Sequence, residues 1–97
     1  MLEWMSRLAK PLPQAPVFLE DLAWPHVQAL QAAGMTTLLL PVGATEQHGP
    51  HLPLNTDSVI ATSACADAAA LTCVPVLPPV RIGASIGHTE QGLGAIS

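Results

Sequence analysis

The sequence predicts an α/β fold, a parallel sheet layered by βαβ units, and three stretches of text carry that expectation. The first is "TTLLLPV" (36–42), a continuous apolar run without polar alternation, which marks a strand covered on both faces. The second is "TDSVIATSACADAAAL" (56–71), an alanine-rich stretch of helical length. The third is "TCVPVLPPV" (72–80), a second apolar run that reads as the returning strand. Strand, polar loop, helix and strand together form one βαβ unit, whose crossover is right-handed in nearly every known case.

In chain order, residues 1–16 contain Pro11, Pro13 and Pro16, and read as an extended lead-in. Each proline removes a backbone donor and disfavours helix in the residue before it. The domain proper is expected over residues 17–97. "LEDLAWPHVQALQAAG" places Pro25 where it opens a helix, sets Val27, Leu30 and Ala33 at helical spacing, and stops at Gly34. This short amphipathic helix is expected to pack on a central strand, "TTLLLPV". The following helix takes Thr56, Asp57 or Ser58 as its N-cap. After the second strand, "RIGASIGHTEQGLGAIS" leaves on the same side as the polar loop, so Ser85, His88 and Glu90 are placed to face it.

Composition narrows the function classes. Of 97 residues, 49% are hydrophobic and 10% charged, and with one phenylalanine and no tyrosine the core must be built from Leu, Val and Ala. A core of that kind in so short a chain is either marginal or covered by something else. The net charge of -4, with Arg7, Lys10 and Arg81 as the only fixed cations, excludes a basic nucleic-acid surface. Glu3 precedes every basic residue and no cleavage-type segment follows, so the N-terminus is a poor signal peptide. No run reaches the roughly 18 to 20 apolar residues of a membrane span, and a cytoplasmic setting without membrane contact is expected. Cys65 and Cys73 lie in no metal or disulfide spacing and read as small buried hydrophobes.

Against this background, "GATEQHGPHLPLNTD" (43–57) concentrates Glu46, His48, His51 and Asp57 in one loop. In extended chain, side chains alternate, so Glu46 and His48 project to one side while Gln47 turns away. Asp57 follows a proline-stiffened passage at a helix start, where the dipole favours a carboxylate. Glu, His and Asp suit zinc, manganese or magnesium, and a carboxylate can bridge two such ions. Taken singly, each residue has a plainer role: Asp57 as a helix cap, Glu46 as a solvated loop carboxylate, His51 as a structural hydrogen-bonder. Residue types and spacing leave both readings open. Three ligands also do not complete a two-metal site, which needs at least two further groups.

The stretch "LLLPVGATEQHGPHLPLNTD" resembles the signature loop of the creatininase (creatinine amidohydrolase) family. "FLEDLAWPHVQAL" is similar to that family's opening helix, and "IGASIGHTEQ" to its Gly-x-Ser-x-x-His segment, here Gly83, Ser85 and His88, so the likeness covers roughly residues 17 to 97. It implies that Glu46, His48 and Asp57 are metal ligands, Asp57 bridging two zinc or manganese ions in a complete site. Ser85 and His88 become substrate-side residues, although a small loop serine equally serves a turn. The implied activity is hydrolysis of a carbon–nitrogen bond in a small amide or cyclic amide by a metal-activated water, in an enzyme that often forms homo-oligomers. Two features depart from the family. Gly92, Leu93, Gly94 and Ala95 stand where an aromatic and Pro-Gly-Thr are usual, and the family's remaining His and Glu ligands come from a later Gly-His loop. The chain therefore reads as the N-terminal, truncated half of such an enzyme. The alternatives are a non-catalytic subunit or association module, and a family member that trims a peptide in redox-cofactor (mycofactocin-type) maturation.

Overall fold

The computed structural model describes residues 14–84 and the backbone of residues 95 and 96. Three segments lie side by side, all parallel: 17–19, 38–43 and 75–80, the first turning into a 3-10 helix at Leu19–Asp21. Val76 bridges Phe18 on one side and Leu39 on the other, and Val42 bridges Val80. The segment at 75–80 is thus central. Val76 N–H donates to Val17 O and Leu19 N–H to Val76 O, both at 2.8 Å; on the other flank Leu39 N–H donates to Pro75 O at 2.9 Å and Leu77 N–H to Leu39 O at 2.8 Å. Two consecutive crossovers result, 17–19 to 38–43 and 38–43 to 75–80, each through a helix.

The pairing comes as isolated bridges rather than continuous ladders because prolines punctuate it. Pro41, Pro75, Pro78 and Pro79 have no N–H to give, so the ladder is interrupted where they fall. Expectation placed "TTLLLPV" at the centre of the sheet; the structure puts it at one flank, with the 75–80 segment between it and 17–19. No strand was expected at 17–19, although Val17-Phe18-Leu19 after Pro16 is itself a short apolar run.

The first helix, α1 (Trp24–Ala32), carries Pro25 in its first turn, as expected. It ends in a Schellman motif: Gly34 at φ +90°, Gly34 N–H on Gln31 O and Met35 N–H on Leu30 O, each at 3.0 Å. Its Val27 and Leu30 face Leu19, Leu38 and Pro75 across an apolar cleft of about 510 Å³. The second helix, α2 (Thr56–Thr72), begins one residue earlier than expected at its cap, which is Asn55, with no side-chain capping bond. Thr56 instead turns its hydroxyl back onto Pro53 O at 2.6 Å. The helix closes on Cys73 in the left-handed conformation, φ 60°.

The core differs from the expected Leu, Val and Ala packing. Val76, Ala69, Pro41, Pro75 and Ser58 are buried; no leucine is, among the described residues. Nor is "TTLLLPV" covered on both faces: Leu38 is 43% exposed, Leu40 51% and Val42 63%. Cys65 is half-buried, but Cys73 is exposed, correcting its reading as a buried hydrophobe. The αL position at the helix end holds Cys73 outward, where its thiol approaches Gln14 Oε1 at 3.5 Å. Among the described residues no helix is long and apolar enough to cross a membrane.

Candidate metal centre

The polar loop starts at the carboxyl end of the 38–43 segment, the edge at which open parallel sheets hold their ligands. Gly43 N–H donates to Val80 O at 2.8 Å, and the Thr45 hydroxyl donates to Arg81 O at 2.8 Å. The loop is thereby tied to the end of the central segment. Thr45 and Glu46 then form a short strand, β1 (Thr45–Glu46), antiparallel to β2 (Ala95–Ile96), with Glu46 opposite Ala95. Glu46 N–H also donates to Leu54 O at 3.1 Å, closing the loop on itself. Gly49, at φ +82°, makes the reversal, and its N–H is taken by Gln47 Oε1 at 2.9 Å. Gln47 thus turns into the loop while Glu46 and His48 share the other side, the alternation expected of extended chain.

Asp57 arrives from the opposite direction, in the first turn of α2. The structure brings Glu46, His48 and Asp57 together, one ligand-type atom from each lying within 4.8 Å of the others. All three are half-buried. His48 Nε2 stands 3.2 Å from Asp57 Oδ2. Yet Nε2, which is shielded from solvent, forms no hydrogen bond. A shielded ring nitrogen that takes part in no hydrogen bond costs desolvation energy, and a cation held between it and the neighbouring carboxylate would offset that cost.

The donor set fits such an ion. With bonds of about 2.0 to 2.2 Å from zinc to nitrogen and oxygen, two ligands of one tetrahedral ion stand about 3.4 Å apart, close to the 3.2 Å between His48 Nε2 and Asp57 Oδ2. Two oxygens on Asp57 allow it to face two ions. His51 is exposed and stands outside the cluster. Gly83 is exposed, while Ser85, His88 and Glu90 lie outside the described residues, as do the departures at Gly92 and Leu93. Sequence reading missed the pairing of β1 with β2, and it missed Ser58, which is 0% exposed and donates its hydroxyl to Ala44 O at 3.3 Å. A serine one position after Asp57 in a first turn was a weak signal for a buried tie.

Comparison with known proteins bears on the family and the fold. The family model Creatininase (creatinine amidohydrolase) matches residues 20–97. Creatinine amidohydrolase of Pseudomonas putida is 40% identical over 67 residues, 69% of this chain and 26% of that protein. A mycofactocin precursor peptide peptidase of Mycobacterium ulcerans is 46% identical over 70 residues, 63% of this chain and 28% of that one. Two solved creatininases, a mutant of Zn-Zn type and an Mn form, each superimpose with a TM-score of 0.66 at 40% identity, covering 70% of this chain and 26% of theirs. The chain spans about a quarter of the length of these relatives. With its family-specific loop, its partial α/β sheet and a matching segment of 78 residues, from 20 to 97, this chain belongs to the creatininase family.

Proposed function

We propose that this chain contributes the first part of the metal site of a creatininase-type hydrolase, which cleaves a carbon–nitrogen amide or cyclic amide bond in a small molecule through a metal-activated water. The observation that carries the proposal is the convergence of Glu46, His48 and Asp57 around a buried His48 Nε2 that makes no hydrogen bond. Glu46 and His48 would each hold one ion and Asp57 both, two zinc or manganese ions per complete site; relatives solved in Zn-Zn and Mn forms support that choice. When bound, such ions lower the pKa of a coordinated water and polarise a carbonyl oxygen.

The chain's own residues supply the rest. β1 and the Leu54 carbonyl fix the backbone of Glu46, the Gln47 amide fixes the turn that presents His48, and the helix start fixes Asp57. Ser85 and His88 belong to the proposal as substrate-side residues. So do a lead-in over residues 1–16 followed by one domain over 17–97, a cytoplasmic setting and assembly into homo-oligomers. Since the chain spans about a quarter of its relatives, turnover is proposed for the site once further ligands join it, not for these 97 residues alone.

Zinc titrated into the pure chain against a chromophoric chelator tests the proposal. We expect weak binding, with Kd in the micromolar range or above, about -8 kcal/mol or less in magnitude. Loss of that binding in His48→Ala and Asp57→Asn is expected; equal binding by the wild-type chain and both variants would remove the metal site. A second reading, peptide trimming in redox-cofactor maturation, is favoured by the 46% identity to the mycofactocin precursor peptide peptidase. Hydrolysis assays on the assembled enzyme with a small cyclic amide and with a short peptide separate the two.

A further inference from the structure

We propose that Gly43 and Ser58 form a spacer that sets the distance between the two halves of the metal centre, making them positioning residues. The inference rests on the metal reading for its consequence, but its geometry stands independently. A β-carbon built on Gly43 would lie 2.5 Å from Ser58 Cα, 2.6 Å from its Oγ and 2.7 Å from its N. Two of those three atoms are backbone and cannot rotate aside. Gly43 is not one of the glycines with positive φ, which are Gly34 and Gly49 among the described residues. What position 43 requires is therefore the absence of a side chain, not a glycine-only backbone conformation.

Both partners of this contact are held from behind. The Gly43 amide is tied to Val80 O at 2.8 Å, anchoring it to the central segment. Ser58 is 0% exposed, and its hydroxyl reaches Ala44 O at 3.3 Å, so the helix is drawn onto the loop residue next to Gly43. Asp57 immediately precedes Ser58, and Glu46 and His48 follow Gly43 by three and five residues. The contact thus joins the backbone on the Asp57 side of the cluster to the backbone that leads to Glu46 and His48. Ordinary contact at a β-carbon begins at 3.4 Å, so alanine at position 43 would push the first turn of α2 back by nearly an ångström. Metal sites tolerate about 0.2 Å of error in ligand distance, several times less than that retreat.

The experiment compares Gly43→Ala with wild type in the 97-residue chain by two measurements. The first, without metal, is the nuclear Overhauser contact between the His48 ring and the Asp57 β-protons; it should be present in wild type and lost in Gly43→Ala. The second is the cobalt(II) visible spectrum and affinity, which should fall at least tenfold. Ala68→Gly loosens the same helix about three turns from the site and should leave both readouts within twofold. An undiminished contact and undiminished cobalt affinity in Gly43→Ala would overturn the spacer. If wild type shows the proton contact but binds no cobalt, the metal reading fails while the contact still decides the spacer. Should Gly43→Ala not fold, Ser58→Ala keeps the test open: it removes the tie to Ala44 without adding bulk and should weaken the proton contact and cobalt affinity about threefold, and no change in either would overturn the proposal.

Discussion

The loop at 43–57 and the apolar flank at 38–42 are neighbours in sequence and opposites in how their needs are met. The loop answers its polar groups partly within itself, Glu46 on Leu54, Gly49 on Gln47 and Ser58 on Ala44, and partly on the end of the central segment, Thr45 on Arg81. The flank buries Pro41 but leaves Leu38, Leu40 and Val42 exposed, Leu38 lining an open cleft. The hydrogen bonds that shape the site thus come from the loop and from the end of the central segment it abuts, while the hydrophobic stabilisation of the sheet depends on apolar surface that the flank leaves exposed. The chain spans about a quarter of the length of its relatives, and its site is legible while its apolar flank stays exposed.

The largest expected effect breaks the loop side of that contrast. His48→Ala or Asp57→Asn removes a donor from a cluster of three, and zinc affinity should fall about 100-fold or more, beyond the 10- to 100-fold typical of losing an outer partner of a ligand. Thermal or urea unfolding of the metal-free variants should move little, since neither residue belongs to the buried set. A variant that lost stability and kept zinc would reverse the assignment of this loop from chemistry to structure.

Next comes the small core. Val76 is 0% exposed and is bridged on both flanks, so Val76→Ala removes two methyl groups from the most enclosed position in the sheet. The cost should be about 2 kcal/mol, read from the urea midpoint. Zinc affinity measured below the unfolding transition should hold, because the loop's own bonds remain.

How far the sequence foretold this arrangement differs between the same two regions. That Glu46 and His48 share one side was legible from period-two alternation, a short-range rule, whereas spacing left it open that Asp57 joins them, which the family resemblance implied. The βαβ order and both helices were legible from Pro25, Gly34 and the alanine run. The place of 75–80 at the sheet centre was not, because pairing order depends on which edges meet in space, and "VPVLPPV" advertises interruption rather than centrality. Burial was misjudged for a related reason: a continuous apolar run such as "TTLLLPV" signals the environment of the finished sheet, whereas these residues supply only one of its neighbours. Cys73 was misread because an αL end is set by where the helix must stop, and cysteine gives no local sign of it.

Cys73 offers a smaller effect, independent of both regions. At φ 60° it bears the strain that a side chain feels in left-handed backbone. Cys73→Gly should relieve it and raise stability by about 0.5 to 1 kcal/mol, the larger backbone entropy of glycine in the unfolded chain offsetting part of the gain. A loss of stability would mean that the thiol contact to Gln14 Oε1 outweighs the strain.

The smallest effect is the most pointed test of the flank. Leu40 is 51% exposed, so Leu40→Lys in this chain should change the unfolding free energy by no more than about 0.5 kcal/mol, the usual range for surface substitutions. Placed in a longer chain that supplies the covering layer, the same lysine would have to bury its charge against apolar neighbours and should cost several kcal/mol. The difference between the two measurements is the contribution of cover at that residue. If it is near zero, Leu40 faces solvent in the complete sheet as well, and the apolar run owes its composition to strand propensity rather than to burial.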